Sequence, residues 1–230
     1  MNIIGIIGAM EKEVETLKAA MAGASVETHT GMAFYHGNLN SAEVVVVQCG
    51  VGKVNAALCV QILADLYHVT HIINTGIAGS LDAALDIGDV AISTDLMYHD
   101  FDTTAFGYPW GKVPGLDVDA FPADEGLASL AEQVCKEQGV GCKRGRIVSG
   151  DQFIASEAQK DVILGHVGGL CTEMEGAAIA HAAYRNGIPF VVIRAISDKA
   201  DHSAEMDYPT FERQAAQRSA KLVEELVQRI

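Results

Sequence analysis

Pro189-Phe190-Val191-Val192-Ile193-Arg194-Ala195-Ile196-Ser197-Asp198 is a continuous apolar run interrupted only by Arg194 and closed by a serine and an aspartate. An apolar run without alternation suits a strand buried on both faces, as in a sheet covered by helices on each side. Working outward, Gly176–Asn186 before it reads as a helix, and Tyr208–Ile230 after it as the terminal helix. Further upstream the chain alternates in the same way. Asn2–Gly8 is a short apolar run ending in glycine, followed by Glu11–Met21, where Val14, Leu17, Lys18 and Met21 recur at helical spacing. Phe34–Leu39 and Glu43–Cys49 read as an antiparallel pair across Asn40–Ala42. Lys53–Tyr67 is a helix, and His71–Thr75 and Asp89–Thr94 are strands. Helix Ala123–Gln138, strand Arg144–Ser149, helix Ser156–Leu164 and strand Leu170–Glu173 complete the series. The alternation predicts an α/β fold: one domain over residues 1–230, with a central mixed, largely parallel twisted sheet flanked by helices on both faces. Tyr98–Phe121 mixes aromatic residues with five glycine or proline breakers and reads as a long ordered loop, a feature usually tied to function.

Composition narrows the partners. Hydrophobic residues make up 49% and charged residues 20% of the 230, an ordinary globular mix. No apolar run reaches the ~18 residues of a membrane helix. The opening Met1-Asn2-Ile3-Ile4-Gly5 lacks the basic segment and cleavage site of a signal peptide, so a cytoplasmic location is expected. The formal charge of −14 repels nucleic acid and polyphosphate, whereas an uncharged or zwitterionic small molecule is easily accommodated. Five cysteines with no C-x-x-C spacing argue against a disulfide framework or a zinc site. His99-Asp100-Phe101-Asp102 and Asp198…Asp201-His202 lack specific metal-ligand spacing, and neither a metal nor a cofactor is implied.

In sheets of this kind ligands bind at the carboxyl ends of strands. Three acids fall there: Glu13 after the first strand, Glu175 after Leu170–Glu173, and Asp198 after Pro189–Ile196, with Arg194 nearby in sequence. Each has an ordinary structural use as well. Glu13 and Glu175 are first-turn carboxylates that a helix dipole favours, and Asp198 suits a cap. Three at three strand ends shift the balance towards a site. Gly50-Val51-Gly52-Lys53 is not a phosphate loop, because Val47 and Val54 stand where a glycine and a Ser/Thr are needed. Gly5-Ile6-Ile7-Gly8 and Gly76-Ile77-Ala78-Gly79 lack the dinucleotide pattern, and no G-x-S-x-G elbow occurs.

Seven motifs in order carry a resemblance that runs from Ile3 to the terminal helix. They are Gly8-Ala9-Met10-Glu11-Lys12-Glu13-Val14, Asn74-Thr75-Gly76-Ile77-Ala78-Gly79, Tyr98-His99-Asp100, Thr104-Ala105-Phe106-Gly107-Tyr108, Val148-Ser149-Gly150-Asp151-Gln152-Phe153-Ile154, Glu173-Met174-Glu175 and Arg194-Ala195-Ile196-Ser197-Asp198. Together they resemble the bacterial 5′-methylthioadenosine/S-adenosylhomocysteine nucleosidases of the purine nucleoside phosphorylase-like superfamily. The resemblance implies hydrolysis of the N-glycosidic bond of those nucleosides, with 5′-deoxyadenosine as a further substrate. The products are adenine and a 5-thio-substituted ribose, in methionine salvage and removal of a methyltransferase by-product.

It also implies roles. Asp198 would protonate adenine N7, with Ser197 holding it. Glu13, supported by Arg194, would orient the attacking water. Glu175 would bind the ribose hydroxyls over Met174, and Phe153 would stack on adenine while the Ile154 backbone reads its edge. Tyr208 would line the 5′ pocket, where Met10 and Val51 also seat a thioether. Ala9, Ile77, Ala78, Gly79 and Glu173 would complete the substrate contacts. Thr103 and Phe106 would reach into the neighbouring subunit of a homodimer. Ile77 is a departure, since related enzymes often carry a small hydroxyl residue there. Three other readings stand beside this one. A phosphorylase would need a phosphate-binding loop where Glu13 stands, and an acid there repels phosphate. A 6-amino-6-deoxyfutalosine nucleosidase differs only in the 5′ substituent. A non-catalytic adenosine-binding protein would be expected to have lost at least one of the three acids.

Overall fold

The computed structural model describes residues 2–201 and 204–230. Ten strands form one sheet: β1 (Ile3–Gly8), β2 (Met21–His29), β3 (Met32–Leu39), β4 (Ala42–Gln48), β5 (His71–Ser80), β6 (Val90–Tyr98), β7 (Phe121–Pro122), β8 (Cys142–Ser149), β9 (Cys171–Glu173) and β10 (Phe190–Asp198). The helices are α1 (Glu11–Ala20), α2 (Lys53–Tyr67), α3 (Glu125–Glu137), α4 (Glu157–His166), α5 (Gly176–Asn186) and α6 (Ala204–Leu226). The spatial order is β10-β6-β8-β9-β5-β1-β4-β3-β2, with β7 beside β6. Because β10 also pairs with β5, five of the strands close into a ring and the sheet has a free run only from β1 to β2. Parallel pairs link β4, β1, β5 and β10 and, separately, β6, β8 and β9, while antiparallel pairs close the ring and form the β2–β3–β4 hairpins.

Alternate residues of the apolar runs enter opposite cores. On β1 and β4, Ile7, Val45 and Val47 pack on one side with Cys59 and Leu63 of α2 and Ile179 of α5. Ile4, Ile6, Val44 and Val46 pack on the other with Leu17 of α1, Val134 of α3 and Leu222 of α6. This two-sided burial is why these strands carry no polar alternation.

Several boundaries differ from the periodicity. Residues 21–29 form β2, which the sequence does not announce: the strand lies at the sheet edge and nearly all of it is exposed, so no buried face imposes a pattern. β5 and β6 run five and four residues past the expected Thr75 and Thr94, and β10 two residues past the expected Ile196. Gly76 and Gly79 lie inside β5 rather than at a turn, and Asp198 is the last residue of β10 rather than a residue beyond it. α6 begins at Ala204, four residues before Tyr208, with Pro209 inside its first turns. Between Tyr98 and Phe121 the expected long loop is present, with one short 3-10 turn at Thr104–Phe106. Among the described residues no helix is long and apolar enough to cross a membrane. The five cysteines are free thiols. His202, part of the weak metal pattern, lies outside the described residues.

Candidate active site

The carboxyl ends of β1, β5, β9 and β10 meet around one pocket, and each brings an acid or the space for one. From the first turn of α1 comes Glu13, 1% exposed. Its Oε2 accepts from the Ala9 and Met10 N–H groups at 2.7 and 2.9 Å, and its Oε1 from Ile77 N–H at 3.1 Å. The carboxylate thus caps its own helix, as a first-turn acid does, and at the same time faces the pocket. Burial pushes its pKa up, opposed by the charge of Arg194 and by the three backbone donors.

Glu175 stands at the N-terminus of α5 and accepts from Gly52 N–H at 2.9 Å. Gly52 adopts φ 98°, a conformation side chains disfavour, to turn that N–H inward. Burial raises the Glu175 pKa, and the neighbouring Glu173 charge adds to the rise. Asp198 is 2% exposed at the end of β10. Ser197 Oγ donates to its Oδ2 at 2.8 Å and Ala200 N–H to its Oδ1 at 2.9 Å. Ala200 takes a left-handed φ of 51°, which folds the chain back so that this N–H reaches the carboxylate. Burial again raises the pKa, against those two hydrogen bonds.

Arg194 does not itself line the pocket. It lies beneath, 1% exposed, with guanidinium nitrogens 3.9 Å from Glu13 Oε1 and 3.8 Å from Glu175 Oε2. Its Nη2 donates to Asn74 Oδ1 at 2.6 Å and, by a short bond, to Glu173 Oε2. Glu173 also accepts from Ser149 Oγ and from the Glu175 and Gly176 N–H groups, so it ties Arg194 to the start of α5. One cation therefore serves three buried carboxylates.

The rest of the wall is mostly apolar. Ala9 and Met10 line the pocket beside Glu13, Val51 lines it just before Gly52, and Ile77, Ala78 and Gly79 line it from β5. Phe153, Ile154 and Met174 also line it, with Tyr208 from α6. The Tyr208 ring meets Phe153 edge-on with centroids 5.5 Å apart, and its hydroxyl lies 3.3 Å from Met10 Sδ. Every candidate named above thus converges on this pocket except Arg194, which underlies it, and the two residues expected to serve a neighbouring subunit. Thr103 and Phe106 do not line it; Phe106 projects from the 3-10 turn with 82% of its surface exposed. Two lining residues, Gln152 and Thr172, were not singled out from sequence, nor were Asn74 and Ser149 beneath. Gln152, Asn74 and Ser149 occur in quoted motifs but have no chemical signature of their own. Thr172 sits in a three-residue strand with no signal at all.

The sequence profile of the phosphorylase superfamily matches residues 3–228. The 5′-methylthioadenosine/S-adenosylhomocysteine nucleosidase of Staphylococcus aureus (strain MRSA252) is 45% identical over 229 residues, 99% of this chain and 100% of that one. The Neisseria meningitidis nucleosidase of the same name, crystallised with methylthio-immucillin-A, superposes with a TM-score of 0.97 at 38% identity, covering 100% of both chains. Futalosine hydrolase of Helicobacter pylori superposes at 0.95 with 33% identity, over 100% of this chain and 98% of that one. At this identity, over whole chains and with the fold preserved, the chain belongs to the phosphorylase superfamily and, within it, to the 5′-methylthioadenosine/S-adenosylhomocysteine nucleosidases.

Proposed function

We propose that the protein hydrolyses the N-glycosidic bond of 5′-methylthioadenosine and S-adenosylhomocysteine, releasing adenine. One observation carries the assignment of roles: three buried carboxylates with raised pKa values, Glu13, Glu175 and Asp198, line one pocket, with Arg194 beneath the two glutamates. In the reaction the C1′–N9 bonding pair leaves with the purine, and the sugar becomes oxocarbenium-like. Asp198, whose pKa burial raises, gives a proton to N7 and makes adenine a neutral leaving group. Water adds to C1′ and loses a proton to Glu13, whose backbone donors and Arg194 favour the ionised form needed to accept it. Glu175 receives the ribose hydroxyls, and the carboxylate of Glu13 stabilises the developing cation in a low-dielectric pocket. Ser197 holds Asp198, and Arg194 holds the glutamates.

Phe153 stacks on the base and the Ile154 backbone reads its edge, while Met174 packs under the sugar. Met10, Val51 and Tyr208 seat the 5′ thioether, for which an apolar wall without a charged partner suffices. Ala9, Ile77, Ala78, Gly79 and Glu173 border the nucleoside. The working unit is a cytoplasmic homodimer in which Thr103 and Phe106 complete the partner's 5′ pocket. The exposure of Phe106, and of Val51, Val54 and Leu58 around the start of α2, supports this reading.

The test is adenine release from 5′-methylthioadenosine in phosphate-free buffer. Adenine with free 5-methylthioribose is expected. Release only after phosphate is added would make the enzyme a phosphorylase, and the short-range repulsion between Glu13 and a phosphate dianion opposes that outcome. A second reading, cleavage of 6-amino-6-deoxyfutalosine, is favoured by the likeness to futalosine hydrolase. Comparing kcat/KM on the two nucleosides decides the preferred 5′ group.

A further inference from the structure

Helix α2 begins without a cap of its own, because Gly52 stands at its N-cap position and has no side chain to accept from the amides of the first turn. The acceptor comes from 98 residues away: Asp151 Oδ1 takes Lys53 N–H at 2.9 Å. The carboxylate sits directly on the turn, since a Cβ added at Gly52 would lie 3.2 Å from that oxygen. The preceding amide, Gly52 N–H, is the one that reaches Glu175 Oε1 at 2.9 Å. Two acids from different segments thus share the start of α2. Glu175 lines the pocket and Asp151 does not.

Asp151 is itself fixed. Its N–H donates to Asp100 Oδ2 at 2.9 Å, and the same oxygen accepts from Lys53 Nζ at 2.6 Å. Lys53 Nζ also lies 3.6 Å from Asp151 Oδ2. Lys53 is therefore gripped through both its backbone and its side chain, and the three residues close a clamp between the segments that follow β4, β6 and β8. The turn needs such an outside hold. Gly52 has φ 98° and, as a glycine, can leave that conformation at little cost, so nothing in its own chemistry aims its N–H at Glu175.

We infer that Asp151 is a positioning residue for the glycosidic cleavage: by capping α2 at Lys53 it holds the Gly52 turn so that the Gly52 N–H meets Glu175, the carboxylate that receives the ribose hydroxyls. The inference rests on the nucleosidase reading above. Without the Asp151 acceptor the first N–H of α2 turns to solvent, the glycine turn gains freedom, and Glu175 loses its fixed donor. A displaced carboxylate holds the ribose less well, and small misplacements of this kind are felt in the rate. In that reading adenine does not touch Glu175, so binding of the free base is unaffected.

The experiment compares Asp151→Ala, Asp151→Asn and the unchanged enzyme in melting midpoint, in adenine affinity by calorimetry and in kcat/KM on 5′-methylthioadenosine. Rates are taken at a temperature where circular dichroism shows each variant folded. The Asp151 side chain is half-exposed, so its truncation leaves the fold intact. Asp151→Ala removes a cap and is expected to lower the melting midpoint by about 2–4 °C and kcat/KM about 5-fold, with adenine affinity kept within about twofold. Asp151→Asn keeps the Oδ1 acceptor, and Asn caps helices as well as Asp does. It is expected to keep the midpoint and to hold kcat/KM within about twofold. The route through Glu175 is read from a double-mutant cycle: on a Glu175→Ala background the further cost of Asp151→Ala falls to within about twofold of none. A kcat/KM for Asp151→Ala within about twofold of the unchanged enzyme overturns the proposal, because the residue then only caps a helix. An equal loss of adenine affinity overturns it too, since the base-binding segment after Asp151 has then been disturbed as a whole. So do an Asp151→Asn as impaired as Asp151→Ala and a cycle in which the two losses multiply. Failure of the unchanged enzyme to release adenine would instead overturn the nucleosidase reading itself.

Discussion

Asp198 illustrates how much a single carboxyl depends on what is absent beside it. Its pKa is raised because burial outweighs the Ala200 and Ser197 hydrogen bonds, and its position is open because Gly79 has no side chain. Asp198→Asn keeps the shape and removes the proton donor, so kcat is expected to fall about 10²–10⁴-fold with the fold intact by circular dichroism. A near-normal rate would show that another group supplies the proton. Gly79→Ala attacks the same step from the backbone. The new methyl group would meet Asp198 Oδ1 at 2.6 Å and Ala200 Cβ at 2.9 Å, forcing the acid aside. A displacement of about 1 Å is enough to cost on the order of 10²-fold in kcat, with adenine release as the measure. Gly76 has a matching role, since a Cβ there would collide with both Arg194 and Glu13.

Among the elements, the junction of β9 with α5 does most to assemble the site. Glu173 accepts from Gly176 N–H at 2.8 Å and Glu175 N–H at 3.1 Å while bonding Arg194 and Ser149. The first turn of α5, the end of β8 and the middle of β10 are thereby fixed to one carboxylate. Glu173→Gln leaves a buried arginine without its nearest counter-charge. Loss of one partner of a buried ion pair costs about 3–5 kcal/mol, and urea denaturation should show a drop of that order. A loss under about 1 kcal/mol would mean that Glu13 and Glu175 alone hold Arg194.

At the scale of the whole molecule, the buried acids link activity to pH-dependent stability. Glu13, Glu175 and Asp198 all have folded pKa values raised mainly by burial. A raised folded pKa means that the folded chain holds a proton the unfolded chain has already released. The stabilisation is therefore complete below the ordinary carboxylate range and is lost as pH rises through each raised value. Glu175→Gln mimics the protonated form at every pH. Its melting midpoint should gain on that of the unchanged protein between pH 5 and 8, and a constant difference would mean that Glu175 is not held protonated. The homodimer is tested on the same scale. Light scattering should give twice the mass of one chain. Phe106→Ala should raise KM about tenfold through lost apolar contact with the 5′ group while leaving the free chain's fold unaltered.

The sequence by itself determined the alternation of strands and helices, because two-sided burial leaves Ile3–Gly8 apolar throughout and Phe190–Ile196 interrupted only by Arg194. It also placed Glu13, Glu175 and Asp198 at strand ends, where their chain position could be read from local pattern. Edge strand β2 was illegible because nothing buries it, and the closure of the sheet at β10 was illegible because strand pairing leaves no mark on composition. Only the tertiary structure decided that Arg194 lies between three glutamates, that Gly76 and Gly79 clear space for side chains from other strands, and that Thr172 stands across a glycine from Asp198. These are relations of register between strands far apart in the chain, and register is fixed by packing rather than by any local run of residues.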